Sequence, residues 1–244
     1  MDGGGSMLVL TSLAARLRLA LVALPLLAAC TPIPAQQVVV AGPQVSPVVR
    51  AMYGPVDDGA FVVPAIPERH LTPENVRQVA DYWTDEPAGS IVVDPYATYL
   101  YYVLGNARAI RYRIGVGEAG RNFAGRATIP YKLKWPGWMP TANMIREDPD
   151  LYGPHRGGMT GGLQNPLGSR ALYLFQGGRD TTYRIHGTYA PWSIGVAVSA
   201  GCIRMFNRDA MDLYERVEPG TRVLVLAPHE TGRGTVPPAL AWRG

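Results

Sequence analysis

The sequence predicts a mainly β fold, a sandwich or barrel, and three observations carry that prediction. From Ser90 onward the apolar residues come in short runs of strand length, rich in β-branched and aromatic side chains. Turns rich in Gly and Pro separate the runs, from a total of 28 Gly and 22 Pro in 244 residues. One strong helical pattern interrupts them, from Asn207 to Val217.

Taken in order, Ile91–Val93 ends at the Asp94-Pro95 turn. Tyr99–Leu104 and Ala109–Val116 flank Gly105-Asn106, a pair suited to a tight hairpin. Ala171–Phe175, Thr182–His186 and Arg222–Leu226 supply further strands, and Asn207 caps the late helix, which Pro219-Gly220 closes. Upstream, Leu71 to Trp83 reads as a short helix with Thr72 as N-cap, Pro73 at the first helical position, Glu74 in the first turn, and Val76, Val79, Ala80 and Trp83 as its apolar face. Before it, seven prolines from Pro32 to Pro67 with little periodic pattern read as an extended tether with some local docking. The chain thus divides into a leader at 1–29, a tether at 30–70, a helical segment at 71–89, a β domain at 90–226 and a tail at 227–244.

At 47% hydrophobic and 17% charged, the composition suits a globular protein that buries a real core, and excludes a disordered or multi-span chain. The net charge of +4 is spread without a basic run, so nucleic acid is not an expected partner. Two Cys cannot form a disulfide framework. The N-terminus carries Arg16 and Arg18, then the apolar run Leu19–Ala29, then Cys30. This is the layout of an export signal, too short for a spanning helix of roughly 20 residues.

An exported chain gives a lone thiol at Cys202 two readings, chemical work or an inert buried residue, with pairing to Cys30 a third. Its context is Arg184-Ile-His-Gly-Thr at one end and Ser199-Ala-Gly-Cys-Ile-Arg-Met205 at the other. His186 at a strand end precedes Cys202 by 16 residues, room for a loop to bring the two side chains together. A free thiol with a pKa of about 8.5 is mostly protonated at neutral pH, and an adjacent imidazole can take that proton. Gly201 permits a tight turn that leaves N–H groups facing a developing oxyanion. Arg204, two residues on, lies on the same side as Cys202 in an extended chain and could clamp a carboxylate bidentately. His70, His155 and His229 sit in no such constellation, and His and Cys show no four-ligand spacing, so neither a metal nor another cofactor is expected.

The segments His186-Gly-Thr188 and Ser199–Met205 closely resemble the signature of the L,D-transpeptidase catalytic domain, the YkuD family. Gly115-Val-Gly117, Gly125–Ile129, Lys132, Trp135–Pro140 and Asn165–Gly168 resemble further blocks of that family in the same order, so the likeness covers about 90 to 226. It implies a β-sandwich enzyme of the cell envelope in which Cys202 is the nucleophile, His186 the base, and the Gly187 carbonyl orients the imidazole. The implied substrate is a peptidoglycan tetrapeptide stem, which acylates Cys202 and loses its terminal D-Ala. The acyl group then passes to an amine, either another stem's or a lysine of an envelope lipoprotein.

Ser199 supports the nucleophile loop or is a plain turn residue, and Trp135–Pro140 is a substrate-facing lid or a packed loop. Ala200 stands where many members carry His. Leu27-Ala-Ala-Cys30 resembles a lipobox, which implies lipid on Cys30 and a periplasmic, membrane-anchored protein. Thr31, where inner-membrane retention would call for Asp, favours the outer membrane. Two other outcomes share the same sequence features: a carboxypeptidase or amidase in which water resolves the acyl-enzyme, and a wall-binding lipoprotein with a disused site.

Overall fold

A computed structural model describes residues 45–117, 123–196 and 202–238. The expected leader, lipidation site Cys30, Ser199 and Gly201 lie outside the described residues. The fold is mainly β, as the apolar runs predict. In chain order the elements are α1 (Pro47–Met52), β1 (Val56–Asp57), β2 (Val62–Val63), β3 (Gln78–Asp81), β4 (Ile91–Asp94), β5 (Tyr99–Gly105), β6 (Arg108–Arg113), β7 (Gly115–Val116), β8 (Gly125–Ile129), β9 (Lys132–Lys134), α2 (Ala142–Glu147), α3 (Pro149–Tyr152), β10 (Arg170–Gln176), β11 (Arg179–His186), β12 (Ile203–Arg204), α4 (Asn207–Arg216) and β13 (Thr221–Val225).

The strands from β3 to β13 form one hydrogen-bonded path, β3-β6-β5-β4-β13-β8-β10-β11-β12-β7, with β9 also on β10. Strands β6 and β7 are almost contiguous in the chain yet stand near opposite ends of that path, so the sheet folds over on itself at Ile114. Side chains from both halves then meet in one core. Ile91, Val93, Leu100 and Tyr112 from one end pack with Leu172, Leu174, Ile185, Ile203 and Met205 from the other. Ala210, Leu213 and Val217 of α4 close it. The two-residue turn between β5 and β6 is Asn106-Ala107, both at positive φ, with Gly105 in the irregularity beside it. That is one residue later than the sequence placed it.

Two readings are overturned, and two flanking segments carry more structure than expected. Leu71–Trp83 is not a helix. The Asn75 and Val76 amides both donate to the Thr72 carbonyl, closing a turn, and Gln78–Asp81 then pairs antiparallel with Arg108–Arg111. The open edge of β6 offers a full ladder to residues with β-branched Val79 at their centre, and that tertiary pairing outweighs a cap and a loose period. Asn207 does not cap α4. It is the first helical residue, after Phe206, and its side-chain oxygen accepts instead from the Ser169 amide at 2.9 Å. The predicted tether carries, from residue 45, α1 and the β1–β2 hairpin, and its Tyr53 and Ile66 form a small core with Leu71, Ile194 and Phe206. The predicted tail also docks: the Asp94 carboxylate accepts from the Thr231 hydroxyl at 3.0 Å and the Gly232 amide at 2.7 Å.

Candidate active site

Parallel pairing of β11 with β12 matches Ile185 to Ile203 and His186 to Arg204. Both isoleucines are buried in the core, at 0% and 2% exposure, so the alternate positions, Arg184, His186, Cys202 and Arg204, share the opposite face. Cys202 immediately precedes β12, two residues before the Arg204 that pairs with His186, and its sulfur takes a hydrogen bond from the Arg184 backbone of β11. The register is held beyond the strand pair, because the Met205 amide donates to the His186 carbonyl at 2.8 Å and the Gly187 amide to the Arg170 carbonyl at 2.9 Å.

The His186 ring is buried, and its Nδ1 lies 2.5 Å from the Gly187 carbonyl oxygen. A carbonyl can only accept, so Nδ1 carries the proton and Nε2 presents a lone pair. Burial pushes this imidazole down to about 4, the Gly187 hydrogen bond opposing and the Arg204 and Arg184 charges assisting. Burial likewise pushes the Cys202 thiol up, against a hydrogen bond from the Arg184 backbone and the charges of Arg184 and Arg204. At rest the thiol and the imidazole are therefore both neutral, protonation states suited to general-base activation at the moment of attack.

Gly187 has no room for a side chain. A Cβ there would fall on Asn207 Oδ1, far inside van der Waals contact, and within 3.2 Å of the Ser169 amide nitrogen. Asn207 thus spends its side chain on the strand ends that set the Gly187 carbonyl, a role sequence reasoning missed in assigning it to a helix cap.

Arg204 is half-buried, and among the described residues no carboxylate lies within ion-pair distance of it. Burial lowers its pKa, with Cys202, Tyr152 and Tyr189 as its nearest opposing influences. Arg184 differs. It forms a bidentate pair with Asp180 at 2.6 and 2.7 Å and stacks over Tyr173 at 4.2 Å, so its charge is engaged. Tyr152, whose hydroxyl is influenced electrostatically by Arg204, lies in the excursion that leaves the sheet after β9 and returns at β10, with α2 and α3 within it. Trp135–Pro140, left open between lid and packed loop, forms the first limb of that excursion. Tyr152 and Tyr189 bear no sequence signal of their own, although Tyr189 directly follows His186-Gly-Thr188.

Residues 88–225 match the family model of the L,D-transpeptidase catalytic domain, YkuD. Among curated relatives, the probable L,D-transpeptidase ErfK/SrfK of Escherichia coli K12 is 34% identical over 164 residues, covering 66% of this chain and 48% of that protein. The probable L,D-transpeptidase YbiS of the same strain is 34% identical over 160 residues, covering 65% and 47%. The chain thus spans about half the length of the curated relatives it matches. A crystal structure from Brucella melitensis, described as a probable carnitine operon oxidoreductase CaiA, is 51% identical over 64% of this chain and 96% of its own, with a TM-score of 0.45. That name is the Brucella protein's alone.

Proposed function

The chain belongs to the L,D-transpeptidase catalytic domain family, YkuD, and on that premise we propose that it is a cysteine-dependent acyltransferase acting on peptidoglycan stem peptides. In acylation, His186 Nε2 takes the thiol proton as Cys202 Sγ attacks the carbonyl between the third-position diamino acid and the terminal D-Ala. The C–N bond breaks, the departing D-Ala amine takes the proton from His186, and a thioester remains. In the second step an acceptor amine attacks the thioester, its proton passes to His186 and then to the leaving sulfur, and a new amide forms. The energy of the broken amide is kept in the thioester, so no nucleotide is consumed. The acceptor is another stem's diamino acid or a lysine of an envelope lipoprotein.

The observation that carries this reading is an imidazole fixed by Gly187 in the tautomer that accepts at Nε2, on the strand that pairs with the one Cys202 leads into. Arg204, with no partner carboxylate among the described residues, is suited to hold the donor's terminal carboxylate. Oxyanion stabilisation falls to backbone amides around Gly201 and Cys202, with Ser199 supporting that loop. The lipobox-like Leu27–Cys30 run supports a lipid-anchored, periplasmic location, and Thr31 after it favours the outer membrane over the inner one.

Mass spectrometry tests it. Incubation with a carbapenem should add the inhibitor's mass to the wild-type chain and nothing to Cys202→Ala. An unmodified wild type would identify a disused site. Disaccharide tetrapeptide then separates the enzyme readings, because transfer gives dimers whereas hydrolysis gives tripeptides alone.

A further inference from the structure

The β1–β2 hairpin precedes the family match, which begins at residue 88, yet it is bonded to both ends of the excursion between β9 and β10. At its turn the Asp58 amide donates to the Phe61 carbonyl at 3.0 Å, which turns the Asp58 carboxylate and the Phe61 ring towards one target, Trp135. Asp58 Oδ2 accepts from Trp135 Nε1 at 2.8 Å, and the Phe61 ring lies 4.5 Å from the indole. The same carboxylate receives Arg170 bidentately, Nη1 on Oδ2 at 2.6 Å and Nη2 on Oδ1 at 2.7 Å. Arg170 is 2% exposed, and its charge would be stranded without that partner.

These two targets are the two ends of the excursion. Trp135 opens it, at φ +45 in the left-handed region that a tryptophan rarely adopts, and Arg170 begins the strand to which it returns. The Trp135 amide donates to the Ser169 carbonyl at 2.9 Å, closing the base. Gly161 packs so closely under Trp135 that a Cβ there would fall on the Trp135 carbonyl. Within the excursion, Trp138 and Met159 exchange backbone hydrogen bonds at 2.9 and 2.7 Å. Arg170 has a second connection, since its carbonyl accepts from Gly187, whose own carbonyl holds His186.

We propose that the β1–β2 hairpin is a clasp that fixes this excursion over the substrate cleft, with Asp58 as a positioning residue for donor capture. The segment ahead of the catalytic domain is then a working part of the cleft and more than a spacer. This rests on the transpeptidase reading for the identity of the donor, though the clasp itself is a matter of geometry.

Two variants of the full chain test it. Asp58→Asn keeps the shape and removes the charge, and Trp135→Phe keeps an aromatic ring but removes the N–H together with part of the indole that Phe61 packs on. In both, amide exchange at Trp138 and Met159 should quicken about tenfold while Leu172 and Ile185 in β10 and β11 stay within about twofold. KM for a disaccharide tetrapeptide donor should rise about fivefold or more, with kcat within about twofold. Unchanged exchange and KM in Trp135→Phe would overturn the clasp even if Asp58→Asn fails to fold, as would faster exchange spread evenly over β10 and β11. A wild type that forms no carbapenem adduct defeats the transpeptidase reading instead, and the exchange data still decide for or against the clasp.

Discussion

The depressed basicity of His186 makes the pH profile of acylation the most discriminating measurement. A shift from 6.5 to about 4 disfavours the imidazolium by about 3 kcal/mol. At pH 7 only about one molecule in a thousand then carries it, so the base is already in its working form and gains nothing from a further rise in pH. Carbapenem acylation of the wild-type chain, followed by loss of the β-lactam absorbance after a jump from neutral pH, isolates this step from any acceptor amine. The second-order rate should rise through an acid limb with an apparent pKa near 4 and be flat from about pH 5.5 to about pH 8. His186→Ala should lose roughly a hundredfold or more on that plateau and show a rate that climbs with pH until the thiol itself ionises, above its ordinary value. An acid limb centred between about 6 and 7, the range of an ordinary histidine, would refute the reasoning, because it would mean that the imidazole is solvated or that the active species is a preformed ion pair.

Arg204→Gln should raise KM for a tetrapeptide donor by roughly 10- to 100-fold, the loss of one charge-assisted carboxylate contact, measured by D-Ala release; an unchanged KM would assign the carboxylate to another group. Gly187→Ala should slow carbapenem acylation by about a hundredfold or more, since the added Cβ meets Asn207 Oδ1 and displaces the carbonyl that orients His186; wild-type rates would show that the carbonyl is not needed. For stability, the two buried groups oppose each other. His186, with its folded pKa below the unfolded value, loses stability as pH falls from 6.5 to about 4. Asp209, pushed by burial from 3.8 up to about 6, gains stability as pH falls through that window. Urea unfolding of Asp209→Asn should therefore lose up to about 3 kcal/mol between about pH 6.5 and pH 4 where the wild type stays level; parallel curves would exclude the opposition.

How much of this was legible in the sequence follows from the range of each interaction. Strands such as Ile91–Val93 and Arg222–Leu226 declare themselves because each residue's burial repeats locally. His186, Gly187, Cys202 and Arg204 were identified as candidates because backbone turns and alternation are local too. The Leu71–Trp83 helix failed because its competitor, the open edge of β6, lies some 30 residues away, and the side chain of Arg77 is drawn to Asp209 at 2.9 Å. Asn207 was misread for the same reason: a helix-cap residue and an acceptor for a distant amide look alike in one dimension. Asp58 carried no signal, since a carboxylate in an Asp-Asp-Gly turn reads as solvated until its partner Arg170, 112 residues on, is seen to be buried.

The spacing of 16 residues between His186 and Cys202 also means more in the fold than it did in the sequence. Parallel neighbours cannot be joined by a tight turn and need a crossover of about a dozen residues or more. The loop is therefore as long as the β11–β12 pairing demands, and catalytic geometry comes with the pairing. What fixes its register is the core beneath. A one-residue slip of β12 would turn Ile203 out to solvent, at about 2 kcal/mol, and drive either Cys202 or the Arg204 guanidinium into the apolar interior, at several kcal/mol more for the charge. Against a total stability of about 5–15 kcal/mol for a domain, that alternative is effectively unpopulated. Ile185 and Ile203 touch no substrate, yet their burial decides which face of the pair His186 and Arg204 share. Replacing Ile203 by a polar residue should thus impair acylation by loosening the register, with Cys202 and His186 both intact.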